Sequence, residues 1–263
     1  MNRKQKIWVA VVFLLVLLVS VIVNMPARQL YRVIQIPPSL KVYGLSGTLV
    51  HARVAQLNIQ QFTLSDVRLD WQPLCLLKAA VCYHVYSDDK ELQGVLQLGL
   101  FSGEMTLEQG RIVLDSQLLQ QFVTLLVKPK GSFDIELETL SMKDGKLLSL
   151  NAKINWLNAG IEGEEQLLGN YQALAVTTDD GFKIDLSDRD SLLKMHGEIL
   201  LQWSGEYDAD VKLEARPGLK PSIKSALELF AQRSGLDRYN IRKKARLNAR
   251  QINLLRKIHS PQG

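Results

Sequence analysis

Long stretches of this chain alternate apolar and polar residues with a period of two, a pattern that fits a pleated strand and not a helix. Ser132 to Leu140 sets Phe133, Ile135, Leu137 and Thr139 against Asp134, Glu136 and Glu138. Leu148, Leu150, Ala152, Ile154 and Trp156 then alternate against Ser149, Asn151, Lys153 and Asn155. Lys143 to Lys146 between them reads KDGK, a hairpin signature, because Asp-Gly readily takes positive φ. Val67, Leu69 and Trp71 point one way while Arg68 and Asp70 point the other, which suits a strand with one buried and one wet face. Tyr207, Ala209, Val211 and Leu213 repeat the pattern within Gly205 to Ala215. The expected fold is mainly β: an antiparallel, twisted or curled sheet of repeated β-meander units, with one or two short helices.

The meander unit is legible twice. Gly44 to Leu77 opens on a glycine turn, carries three alternating runs and closes on Trp71-Gln72-Pro73. Gly47 lies 24 residues before Trp71, and Gly131 lies 25 residues before Trp156. Gly47, Trp71 and Pro73 read as turn, core anchor and strand stop. Val42 to Leu45 and Gly47 to Val54 read as strands. Leu74 to Val81 reads as a helical turn, and Gln109-Gly110 as a turn between two strands. Ser116 to Leu126 has apolar residues at helical spacing. Ser222 to Ser234 is expected to be a helix, with Ser222 as N-cap and Gly235 as its stop.

One segment departs from this pattern. Ile7 to Val23 holds seventeen residues without a charge, near the lower bound for a spanning helix. It is longer than a signal-peptide core and lacks a small-x-small cleavage pair, so an uncleaved N-terminal transmembrane anchor is expected. The expected layout is a cytoplasmic leader at 1–6, the anchor at 7–25, a linker at 26–41, an exported β-rich domain at 42–235 and a basic tail at 236–263. Charge follows that layout. Residues 25–215 carry 17 basic and 25 acidic side chains, and residues 216–263 carry 12 basic and two acidic. The basic end is expected either to stay solvated or to touch anionic lipid or an acidic partner, although alternation near Tyr239 to Leu247 permits one final strand. Nucleic acid is improbable as a partner on the exported side of a membrane.

The two cysteines, Cys75 and Cys82, fall in one segment, and an oxidising compartment would join them into a small loop. The alternative is two unrelated thiols; a zinc site is disfavoured because His84 alone does not complete a four-ligand set. GLSGTL lacks the lysine and spacing of a phosphate loop, and no G-x-S-x-G elbow occurs. His51, His84, His196 and His259 show no metal-ligand spacing, and Asp179-Asp180-Gly181 reads as a turn. No catalytic, cofactor-binding or metal residue is therefore assigned, and an enzyme is not expected.

The pattern G-x-x-G-T-L, then L-x-x-V-x-L-x-W-x-P and two leucines, resembles the type II secretion system protein N family. The residues that carry it are Gly44, Gly47, Thr48, Leu49, Leu64, Val67, Leu69, Trp71, Pro73, Leu76 and Leu77. Val50 departs from the tryptophan expected there, and neither the cysteine pair nor so basic an end is typical. The resemblance implies a single-pass protein of the bacterial inner membrane with its domain in the periplasm. Its function would be to bind other inner-membrane platform or secretin-linked subunits during export of folded proteins, without catalytic residues. The alternative is an AsmA-like envelope protein that binds or transfers lipid along an apolar β-groove.

Overall fold

The computed structural model describes residues 8, 13–14, 17, 20–21, 24–31, 40–59, 62–116, 128–144, 146–247 and 252. The chain divides into two compact units, Met1–Leu96 and Gln97–Gly263. Trp8, Phe13, Leu14, Leu17 and Val21 are helical with exposed side chains. Most of the expected anchor lies outside the described residues, and among the described residues no helix is long and apolar enough to cross a membrane. Ala27–Tyr31 forms a short helix.

The first unit is an antiparallel meander of β1 (Leu40–Gly47), β2 (His51–Ile59), β3 (Phe62–Gln72) and β4 (Ala80–Ser87), paired in sequence order. Two boundaries differ from the sequence reading. Gly47 ends β1 and does not begin β2, because its φ of +84° turns the chain. The helical turn after Trp71 is a 3₁₀ helix over Pro73–Lys78, closed by Ala79 in the left-handed region. Proline fits its first turn since it has no N–H to satisfy. Val54, Leu64, Val67, Ala80 and Cys82 are buried within this unit.

β5 (Leu92–Gly99) runs across the division. The second unit continues as β6 (Glu104–Asp115), β7 (Pro129–Lys143), β8 (Lys146–Ile161), β9 (Leu167–Thr178), β10 (Gly181–Arg189), β11 (Leu193–Gln202) and β12 (Glu206–Ala215). Their hydrogen-bonded order again follows the sequence, which short turns and antiparallel pairing require. The unit ends with β13 (Gln232–Gly235) and β14 (Arg238–Arg246), of which β14 pairs with β12 and β13 with β14. Gln109-Gly110 is not a turn. Gln109 takes φ of +50° inside the strand, and β6 runs straight through it in unbroken register, pairing Glu108 with Thr139 and Gly110 with Leu137. The helix expected over Ser116 to Leu126 lies, after Ser116, outside the described residues.

In-register alternation gives this unit two distinct faces. One row across it reads Ile112, Ile135, Ile154, Ala173, Leu186, Gly197, Val211 and Ile241. The matching row on the other face reads Arg111, Glu136, Lys153, Leu174, Asp185, Glu198, Asp210 and Arg242. A one-residue slip in any strand would exchange the two sets, so the partial burial of the first row, with Val211 buried, favours this register.

The core lies at one end of the apolar face, under the helix Pro221–Phe230. Leu219 and Ile223 from this segment join Leu168, Tyr171, Leu193, Val211, Leu213 and Tyr239. Each such side chain contributes about 1.5–3 kcal/mol when fully buried. The helix starts at Pro221 and not after a Ser222 cap, and Gln166 braces the chain that enters it. Its Oε1 accepts from the Lys220 N–H at 2.8 Å while its Nε2 donates to the Gly218 carbonyl at 2.8 Å. The helix also ends short of Ser234, because Gln232–Gly235 is taken up as β13. Tyr171 donates from its hydroxyl to the Leu193 carbonyl at 2.8 Å, and burial pushes its phenol pKa up.

Candidate interaction surface

Gly47 and Gly131 each hold a tight approach of backbone to backbone. A Cβ on Gly47 would lie 2.1 Å from the His51 carbonyl oxygen. The adjoining turn is closed by Thr48, whose N–H donates to that same carbonyl at 3.0 Å and whose Oγ1 accepts from the His51 N–H at 3.3 Å. Gly44 takes φ of +65° opposite Ala55. Trp71 is half-buried, pairs with Tyr83 and donates its backbone N–H to Val50 at 2.8 Å. The first unit's glycine turn and tryptophan are thus neighbours across β2 and β3.

The second copy repeats that arrangement on β7 and β8. Gly131, with φ of +111°, sits at a register shift facing Leu157 and Asn158. Two residues later Phe133 pairs with Trp156, their rings stacked at 5.5 Å. The indole N–H of Trp156 donates to the Lys130 carbonyl at 3.0 Å, and its ring also lies 5.6 Å from that of Tyr171. A third copy, missed in the sequence, occupies β10 and the end of β11. Phe182 follows Gly181, and its ring meets that of Trp203 at 4.7 Å, edge to face. The Trp203 indole donates to the Asp179 carbonyl at 3.2 Å. The signal was available: Trp203 lies 22 residues after Gly181, which follows an Asp-Asp turn. Trp156 and Trp203 each donate an indole N–H to a backbone carbonyl near the start of the facing strand, and Phe–Trp pairs of this kind add about 0.5–1.5 kcal/mol.

The polar face is a lattice of ion pairs. Arg111 grips Asp134 with two bonds of 3.0 and 2.9 Å, and Lys153 reaches Glu136 at 2.8 Å. Lys183 lies between Asp185 at 3.0 Å and Glu198 at 3.7 Å; chiefly the bond to Asp185 raises its pKa. The basic end follows the same rule, because β14 opposes an acidic strand. Arg238 faces Glu214 at 3.8 Å, Arg242 faces Asp210 at 3.0 Å and Lys244 faces Asp208 at 2.7 Å. Residues 238–246 are therefore a paired strand and not a free basic tail; cross-strand charge matching accounts for the difference. Exposed pairs of this kind contribute little, so the lattice patterns a surface more than it stabilises a fold. Residues 248–251 and 253–263 lie outside the described residues.

Cys75 and Cys82 are joined, with Cα atoms 5.8 Å apart, and the bond ties the Pro73–Lys78 turn to β4. Alkylation of the unreduced protein is expected to add no mass, and alkylation after reduction to add two groups. Closing so short a loop restricts the unfolded chain by about 2–3 kcal/mol. In the same unit Asp66 takes φ of +51° within β3, and its hydrogen bonds to Arg53 and then Arg68 hold its carboxyl below the usual range. Of the three described histidines, His51 and His84 flank Asp70 in register, His51 bonding it at 2.8 Å, while His196 pairs with Lys212 in the other unit. His259 lies outside the described residues. Among the described residues no group of three or more His, Cys, Asp or Glu side chains could hold a metal ion.

The model of a family described as "Type II secretion system (T2SS), protein N" matches residues 38–242. The chain is also 24% identical over 253 residues to the type II secretion system protein N of Aeromonas hydrophila, across 93% of this chain and 100% of that relative. No solved structure matches it. The family match runs from ahead of β1 into β14 and takes in all three glycine-to-tryptophan hairpins. On that extent of similarity, the chain belongs to the type II secretion system protein N family.

Proposed function

We propose that this protein is an accessory inner-membrane subunit of the type II secretion system that acts by binding other subunits of the platform or of its link to the secretin. The observation that carries this reading is the breadth of the family match, which covers the strands and not one local cluster. The sheet of this chain presents a charged face, and a patterned surface of matched charges favours specific docking more than affinity. Ile7 to Val23 serves as the anchor and the sheet lies in the periplasm; the exposed apolar side chains of Trp8, Phe13, Leu14, Leu17 and Val21 on a helix support that placement. The disulfide accords with an oxidising compartment. The expected result of deleting the gene is retention of secreted proteins in the periplasm, restored by the full chain. Unchanged secretion from the deletion strain would count against the assignment.

A second reading is favoured by one feature, the apolar row from Ile112 to Ile241, in which Val211 is buried and the other members except Gly197 present half-buried side chains. Such a face could take acyl chains, as in AsmA-like proteins. Mass spectrometry of the detergent-extracted protein separates the two readings. Stoichiometric phospholipid favours lipid handling, and its absence favours the binding module.

A further inference from the structure

The Pro73–Lys78 turn buries none of its residues. Leu74 is 77% exposed, Leu76 47% and Leu77 88%, and Lys78 beside them is also exposed. Three leucines on a six-residue turn, fixed at Cys75 by a disulfide, form an apolar knob that the first unit does not use for its own core.

Its position is set by a short chain of contacts. The chain leaving the helical N-terminal segment is stitched to the turn between β1 and β2: the Leu49 N–H donates to the Met25 carbonyl at 3.1 Å, and Pro26 bridges to Thr48. The same turn touches the strands that flank the knob. Trp71, two residues before Pro73, donates its N–H to Val50, and Tyr83, next to Cys82, donates its hydroxyl to the Leu49 carbonyl at 3.1 Å. With strands about 4.8 Å apart and about 3.3 Å per residue, the knob lies within roughly 15 Å of the point where the N-terminal segment enters the sheet. Exposed basic groups flank both: Arg28, which also donates to the Leu45 carbonyl, and Lys78. The nearest carboxylate on β3, Asp70, is engaged by His51.

We propose that this turn is a second membrane contact, in which Leu74, Leu76 and Leu77 enter the headgroup–acyl boundary of the leaflet from which the anchor emerges. The proposal rests on the reading that Ile7 to Val23 crosses the membrane. Apolar side chains beside basic ones are what an interfacial segment needs, and a lysine can keep its charge among headgroups while its stem lies along the lipid. The disulfide removes ordering cost from the contact, because the turn has little freedom left to lose. Two attachments would fix the orientation of the first unit's sheet against the bilayer, which a single helix leaves free to swivel.

The test uses the full chain in native membranes, with the photoreactive residue p-benzoylphenylalanine placed singly at Leu77, at Val21 or at Asp88. Asp88 lies beyond the far end of β4, at the opposite end of the meander from Pro73–Lys78. Position 77 is expected to give about tenfold more phospholipid adduct than position 88, as interfacial burial of an apolar side chain requires. Protein adducts alone, or no adduct, at position 77 alongside lipid adducts at position 21 would overturn the second contact and leave the anchor standing. Absence of lipid adducts at position 21 would instead remove the anchor, and the proposal with it.

Discussion

Ile223→Ala is expected to lower the free energy of unfolding by about 3 kcal/mol, within the range for truncating a buried isoleucine. Ile223 is only 3% exposed and sits where the helix Pro221–Phe230 meets Leu213, Val211 and Tyr239 across β12 and β14. Removing three carbons there forfeits the transfer free energy of the side chain and leaves a void against strands that cannot close on it. Leu229→Ala on the same helix is the control. Leu229 is 79% exposed, so its truncation should change stability by no more than about 0.5 kcal/mol. Urea unfolding of the protein in detergent, followed by tryptophan fluorescence, measures both. Equal effects would mean that the helix does not cover the sheet as described.

Gly131→Ala is expected to cost about 3 kcal/mol, of which backbone strain at positive φ is only about 1–2 kcal/mol. The larger share is steric. The added Cβ would stand 2.4 Å from the Leu157 carbonyl oxygen and 2.6 Å from that of Asn158, atoms that cannot rotate away. Relieving the clash separates β7 from β8 where Trp156 donates to the Lys130 carbonyl, so tryptophan emission should shift to the red as well. Gly163→Ala isolates the conformational part. Gly163 also has positive φ, of +89°, but a Cβ there meets nothing within 4 Å. A matching loss at both positions would show that close approach plays no part at Gly131.

Strand identity was readable wherever alternation was long. Leu148 to Trp156 and Tyr207 to Leu213 lie in β8 and β12, and Asp144, with φ of +51°, lies between β7 and β8. Errors gathered where a local signal had two meanings. A glycine after a polar residue marks a turn or an irregular step within a strand equally well, and only the partner strand decided for the strand at Gln109. Ser222 carries the chemistry of a cap, but Pro221 was better placed to begin the helix, and Gln166, more than fifty residues away, met the free N–H of Lys220. The third glycine-to-tryptophan hairpin escaped because its spacing is shorter; the Phe182–Trp203 contact makes it recognisable. For the candidate surface, the exposed leucines after Pro73 were present in the motif, but nothing in the sequence said that they would be left out of the core.

Order along the chain alone determined the antiparallel meander, since period-two segments joined by short turns can pair only with their neighbours. It also determined the two-faced character of each strand and carried the glycine-to-tryptophan pattern that links the chain to its family. Tertiary structure decided what the charges and the leucines are for. The acidic residues of β12 and the basic residues of β14 look like separate excesses in sequence, and they cancel only because the sheet places them side by side. Leu74 and Leu77 look like core residues in sequence, and they face solvent because the disulfide and Pro73 hold their turn outside the strands. For the charges, a side chain's surroundings depend on which residues distant in sequence are brought beside it by strand pairing. For the leucines they depend on a brace between cysteines seven residues apart, which holds only once the chain has folded and its cysteines have met.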